Sequence, residues 1–514
     1  MSTTNEAKTH IKHLFNGVGL NMINISIGIV VGLVLTPFFV KSLGTRHYGI
    51  NETIAIFVGC FMLLDLGIDS AVSRFFTLHY AKKEKAECLE ISNTAFFLFL
   101  LFGIVGSVCI ILFAVAIYLI YPDMQDRLLF FHVLLINGIA FGLTFLSKVF
   151  GGVVNGTMNQ QLTGIRDVFI RFFGAVLTFI VVYCGGRLYA ISFVNFGIVV
   201  LNLFWTYRLA KYVFPEFVIS RLLFKVHWLS KLFSFAFATF IVFVGDTIAS
   251  RGGIFVIGAI ISLEAVTPFI AVSVKLCELY SSLMATISGG WLISWLTYLY
   301  ANNEKKLIDE SMRLAVKVCT YSASFMFFGL IVWSRDFIMR WMGEEFLVAY
   351  LSLVIMATEH WIVFCNMPNT KFLFAVAKHR VLAYCNLVGS IIQVVLMIIF
   401  VKLGWGITGV ALGYLLVSIP VRGIIIPIYV SRIRQTNFVK YYLSIISYIL
   451  TAMLGFVIPF LISQQLLAPN YKYLMITGIL SVICYFPFVF FFGFNKTEKQ
   501  KITNIILSSL TKNS

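Results

Sequence analysis

The chain has 514 residues, 60% of them hydrophobic and only 12% charged, and a mean hydropathy of +0.94. This composition excludes a water-soluble globular domain, and at about 20 apolar residues per spanning helix it leaves room for a dozen or more membrane crossings. The formal charge of +17 does not call for nucleic acid, because the positive-inside bias of membrane proteins accounts for it.

Fourteen apolar segments are expected to span: 15–40, 50–72, 94–121, 128–153, 167–182, 188–211, 229–261, 265–287, 314–333, 346–372, 381–401, 407–430, 441–462 and 473–494. The loops between them carry their cations unevenly. One side holds Lys8, Lys12, Lys82, Lys83, Lys85, Arg208, Lys211, Lys305, Lys306, Arg313, Lys317, Arg432, Arg434 and Lys440, among others. The opposite side has only Lys41, Arg46, Arg127, Arg187, Arg335, Arg340, Lys402 and Lys472. The bias places both termini in the cytoplasm and favours an even number of spans. The first apolar run is long enough to span, so it reads as an ordinary first helix and not as a cleavable signal. The nine cysteines lie mostly in apolar segments without a CxxC pair and read as small core hydrophobes. His10 and His13 share a helical face in a basic terminus, and no metal is expected there.

In chain order, the first span ends at Thr36-Pro37-Phe38 and is followed by Leu43-Gly44 through Tyr48-Gly49. Proline in a spanning helix frees a backbone carbonyl and permits a bend. The second span carries Asp65, Asp69 and Arg74. Read as one helix, Asp65 and Asp69 share a face, so two carboxylates meet unless one is protonated or a cation lies between them. They either relay protons, bind a cation or cap the helix end. In the fourth span Lys148 either snorkels to the interface or points into a cavity. Asp167 and Arg171, four apart at the start of the fifth, can neutralise one another, and Asn195 and Asn202 in the sixth suit interhelical hydrogen bonds. Residues 212–231 mix Phe, Leu and Trp with cations and read as an amphipathic surface segment joining two halves.

The densest set of membrane-depth charges follows: Asp246 and Arg251 in one apolar segment, Lys275 and Glu278 in the next. Burying one charge at a bilayer centre costs roughly 2.5 to 3.5 kcal/mol on insertion scales, so these groups must face water or each other. Lys275 and Glu278, three apart, can pair. Asp246 lies about 140° round the helix from Arg251, so Arg251 has to find its partner on another element or on an anionic ligand. Glu359, His360 and Arg422 add ionisable groups later, and Trp291, Trp295 and Trp341 fit interfacial belts. A duplication is legible in the spacing: 159–185 and 378–404 each frame a span and a Gly-rich turn. Three parts follow: an N-terminal lobe at 1–214, a linker and C-terminal lobe at 215–432, and two further helices with a tail at 433–514.

The proline followed by Leu43-Gly44 and Tyr48-Gly49, Asp65-Leu66-Gly67-Ile68 before Arg74, and Arg335-Asp336-Phe337-Ile338 with Trp341-Met342-Gly343 resemble the polysaccharide flippases. These are the O-antigen and capsule repeat-unit translocases of the multidrug, oligosaccharidyl-lipid and polysaccharide exporter superfamily. The resemblance covers essentially the whole chain and implies an all-α polytopic fold. About 14 helices would form two pseudo-repeated six-helix lobes in a V, with two trailing helices. It implies flipping of polyprenyl-diphosphate-linked oligosaccharides across a bacterial inner membrane for O-antigen, capsule or exopolysaccharide synthesis. No cofactor is expected beyond H+ or Na+ coupling. The expected partners are the lipid-linked glycan, membrane lipids, a glycan polymerase and a chain-length regulator, with no nucleic acid.

Cavity cations would offset the diphosphate: Arg251 and Lys275 first, then Arg74, Lys148 and Arg422. Asp65, Asp69, Asp246, Glu278 and Glu359 would couple ions or hold those cations. These roles rest on charge and depth in this chain. A drug or cation antiporter of the same superfamily is the main alternative, then a peptidoglycan-precursor flippase. An enzyme such as a glycan polymerase is disfavoured, because the outer loops at 41–49, 122–127, 185–187 and 334–345 are short and no Lys-Ser/Thr phosphate loop occurs.

Overall fold

The computed structural model describes residues 27–500 apart from 29, 67, 121–125, 158, 288–289, 377, 379 and 466–470. The expected groups Lys8, Lys12, His10, His13 and Gly67, the Arg74 side chain and much of the first span lie outside the described residues. Everything described is helix or connecting turn. Among the described residues, ten helical segments are long and apolar enough to cross a membrane, and Val30–Leu43 is a shorter apolar helix.

The expected spans fall on α1 (Val30–Leu43), α2 with α3 (Thr45–Cys60, Ile68–Ala81), α4 (Lys85–Ile120), α5 (Arg127–Gly156), α6 (Gln160–Tyr183), α7 (Leu188–Val213) and α8 (Val226–Ile260). They continue on α9 with α10 (Leu263–Pro268, Lys275–Ile287), α12 (Lys305–Trp341), α13 with α14 (Tyr350–Cys365, Met367–Ala375) and α15 (Arg380–Phe400). The last three are α16 with α17 (Gly406–Ser418, Ile426–Arg434), α18 (Phe438–Gln465) and α19 (Tyr471–Gly493). An additional helix, α11 (Gly290–Ala301), was not among the expected spans. At 12 residues it is too short to cross, and it buries Leu292, Leu296 and Leu299 against Met312, Phe372 and Leu373.

The chain divides into two compact units, Met1–Thr267 and Pro268–Ser514. In the first, α4 and α5 lie nearly backbone to backbone. A Cβ on Gly103 would stand 2.9 Å from the Gly142 carbonyl oxygen, and Ser107 donates to the Gly138 carbonyl at 2.7 Å. Small residues at such a crossing let dispersion and interhelical hydrogen bonds act where lipid supplies no hydrophobic drive. Gly103→Leu is therefore expected to lower stability in detergent by roughly 1–3 kcal/mol through overpacking. Gly197→Leu, on an open surface of α7, should leave the melting temperature near wild type.

The outward face of α4 exposes Leu101, Ile104, Val108, Leu112 and Leu119 at helical spacing, as a lipid-facing surface requires. Residues 214–225, within the segment expected to be amphipathic, hold one short turn, Arg221–Leu223, and mix buried Phe214 and Phe217 with exposed Val218 and Leu222. They are clasped to α4. Asn93, fully buried, accepts from Ser220 N at 2.7 Å and donates to the Val218 carbonyl at 2.8 Å, and Thr94 accepts from Lys225 N at 3.1 Å. Glu216 takes a hydrogen bond from Lys85, which holds its carboxyl below the usual range.

The second unit is marked by helical segments widened to i→i+5 pairing, at Phe269–Val274 and Ile419–Ile425, while Val401–Trp405 is a kink at Gly404 between α15 and α16. Such bulges open a helix where proline or glycine interrupts the ladder. The two Gly-rich turns of the duplication have one geometry: Gly185 after α6 and Gly404 after α15 take φ of +85° and +89°, which glycine alone adopts freely. Trp341, expected in an interfacial belt, is buried and stacks on Phe337 at 5.2 Å.

Candidate functional site

The second span is not one helix. A short 3-10 segment, Phe61–Asp65, ends in Leu66 at φ +53°, and α3 starts afresh at Ile68. A left-handed leucine costs of order 1 kcal/mol or more. The break is stabilised by Asp65, whose Oδ1 accepts the Asp69 backbone N–H at 3.2 Å. Its other oxygen accepts from Lys148 Nζ on α5 at 2.8 Å, and the two side chains are only 16% and 19% exposed. Asp69 lies in the first turn of α3, against Gly152 one turn along α5 from Lys148. The picture of two carboxylates on one continuous face is thus corrected. The cation that must lie beside them is Lys148, and it neither snorkels nor stands alone.

In the second unit Glu359 and His360 occupy α13. Glu359 Oε1 accepts from Ser418 Oγ at 2.6 Å, and Oε2 lies 2.6 Å from His360 Nδ1. Ser418 ends α16, and one turn on, in the widened segment, Arg422 acts electrostatically on Glu359. The fully buried Tyr280 flanks His360 with ring centroids 6.0 Å apart and donates its hydroxyl to the Ala323 carbonyl at 2.7 Å. A carboxylate, an imidazole, a hydroxyl and a guanidinium thus converge where a helix is broken. In hydrocarbon, irregular backbone is tolerated only where protein or water covers it. Pro427 has no N–H for the Gly423 carbonyl four residues earlier, and the Tyr442 hydroxyl of α18 donates to that carbonyl.

Lys275 and Glu278 pair at 3.8 Å, as their spacing allows. Asp246 is exposed on α8, and Arg251 is half-buried and acts electrostatically on Cys60. Asp167 pairs with Arg166 at 2.7 Å, in place of the expected Arg171 partner. Sequence reading missed Ser418 and Tyr442 as partners, and took Lys317 for a loop cation although it is 6% exposed and bound to Glu498 at 2.8 Å. Among the described residues, Glu87, Glu90 and His227 bring ligand atoms within 4.8 Å of one another at a partly exposed position, a donor set able to hold a divalent cation.

Two units of spanning helices, each with charge clusters at broken segments, match known architectures. A lipid II flippase, MurJ, in an inward closed conformation superposes with a TM-score of 0.66 at 16% identity, covering 92% of this chain and 97% of that one. An inward-facing MATE multidrug resistance transporter of the MOP superfamily gives 0.63 at 11% identity, covering 80% and 96%. The outward-facing form of a MATE transporter gives 0.57 at 12%, covering 83% and 97%. The fold is that of the MOP superfamily transporters. No family model and no curated protein sequence matches the chain. With ten apolar helices long enough to cross a membrane among the described residues, this fold is that of a multi-pass membrane protein.

Proposed function

We propose that this protein moves polyprenyl-diphosphate-linked oligosaccharides across the bacterial inner membrane by alternating access, coupled to H+ or Na+. It acts as a transporter and not as an enzyme. The observation that carries this reading is the match of 92% of the chain to a protein described as a lipid II flippase. The chemistry is consistent, since a diphosphate and a wet glycan cannot enter hydrocarbon unaided. Arg251, Lys275, Arg422 and Arg74 are the cations proposed to meet the diphosphate. Lys148 and Asp65 are the pair proposed to exchange with the coupling ion, with Asp69 next to them on α3; Glu359 is proposed for the same task within the second unit, and Asp246 and Glu278 are proposed to balance cations.

A second reading, a multidrug antiporter, is favoured by the MATE superpositions. One experiment separates the two. In a strain lacking the gene, lipid-linked oligosaccharides are quantified by mass spectrometry beside surface glycan and drug susceptibility. Accumulated single repeat units with lost surface polymer support flipping. Arg251→Ala and Lys275→Ala should each fail to restore the polymer while still inserting in the membrane. An unchanged lipid-linked pool with raised drug susceptibility would replace this reading by the antiporter.

A further inference from the structure

Within the second unit, between α12 and the start of α18, lies a cavity of about 450 Å³. By the cation bias of the loops it opens on the cytoplasmic side. Its floor is apolar, with Met312 and Val316 buried at 0% and 4% exposure, and the rings of Tyr441 and Tyr448 form its walls. Four charged side chains line it: Asp309, Arg313, Arg434 and Lys440. Asp309 is already taken, for a single carboxylate oxygen accepts Arg434 Nε at 3.0 Å and Nη2 at 2.5 Å. Arg313 and Lys440, both exposed at the rim, make no ion pair among the described residues. The positive end of the 28-residue α18 adds to the same field.

Two unopposed cations above an apolar floor suit an amphiphile better than a free ion. Guanidinium and ammonium groups would hold phosphate oxygens, while the floor and tyrosine rings would cover glycerol and the first methylenes. We propose that this cavity binds the phosphate headgroup of an anionic phospholipid from the cytoplasmic leaflet, held by Arg313 and Lys440. The bound lipid would tie α12 to the α17–α18 turn at Thr436 and Asn437, which also line the cavity. This inference does not depend on the cargo proposed above.

The test uses the purified, delipidated full-length chain in native mass spectrometry. It is titrated with phosphatidylglycerol or phosphatidylcholine, with inorganic phosphate as competitor. One phosphatidylglycerol should bind in preference to phosphatidylcholine, weakened roughly fivefold for each cation removed in Arg313→Gln and Lys440→Gln. Arg313→Lys with Lys440→Arg, which keeps both charges, should retain binding and shows that any loss is not misfolding. Lys499→Gln, a cation outside the cavity, should change nothing. Undiminished phosphatidylglycerol binding in the double Gln variant overturns the proposal. So does equal binding of phosphatidylcholine, or displacement of the lipid by equimolar inorganic phosphate, which would make the cavity a free-anion site.

Discussion

A Lys148→Met variant is expected to lose transport and about 3 kcal/mol of stability, because it strands the Asp65 carboxylate in a largely water-free setting. The double variant Asp65→Asn, Lys148→Met should regain most of that stability. Its amide oxygen still accepts the Asp69 N–H that Asp65 Oδ1 accepts at 3.2 Å, and no charge is left uncompensated. Transport should stay lost in the double variant if the pair serves ion exchange. Unfolding in detergent and the lipid-linked pool of complemented cells read the two quantities separately. A stable double variant that restores surface polymer would reduce the Asp65–Lys148 pair to scaffolding.

The second large effect is expected at Lys317. Its ammonium donates to Glu498 Oε2 at 2.8 Å and lies 5.2 Å and 5.5 Å from the ring centroids of Tyr448 and Phe494. Glu498 Oε2 also accepts the Asn495 N–H at 2.8 Å, so one ion pair fixes the segment that follows α19. Lys317→Met should cost roughly 3 kcal/mol from the broken buried pair and the lost cation–π contacts. It should also open residues 495–500 to protease. Glu498→Gln, which keeps an acceptor for both donors, should cost less. Protease resistance unchanged from wild type in Lys317→Met would sink the anchoring role.

Hydrophobic runs of bilayer length made the spanning segments legible, because the solvent they must satisfy is simple. The paired Gly turns were legible too, and Gly185 and Gly404 share their left-handed geometry. The site was harder to read. Asp65 and Asp69 looked like neighbours on one helix because nothing local in Asp-Leu-Gly-Ile announces a left-handed leucine. Lys148 could not be joined to them across 83 residues. Lys317 was counted with loop cations because it stands near the end of an apolar run. Yet α12 is 37 residues long and holds Lys317 within it, buried. The apolar helix α11 is short, so hydropathy windows tuned to a full crossing pass over it.

The hydroxyl that Tyr442 gives to Gly423 replaces a rung inside one helix with a strut to another. Pro427 removed that rung, and the α16–α17 span can bend there. Any such bend must either pull the tyrosine away from the carbonyl or carry α18 with it. The trailing helices are therefore mechanically geared to the span that bears Arg422 and touches Glu359 through Ser418. Motion at that charge cluster becomes leverage on α18, and a load placed on α18 is felt at the cluster.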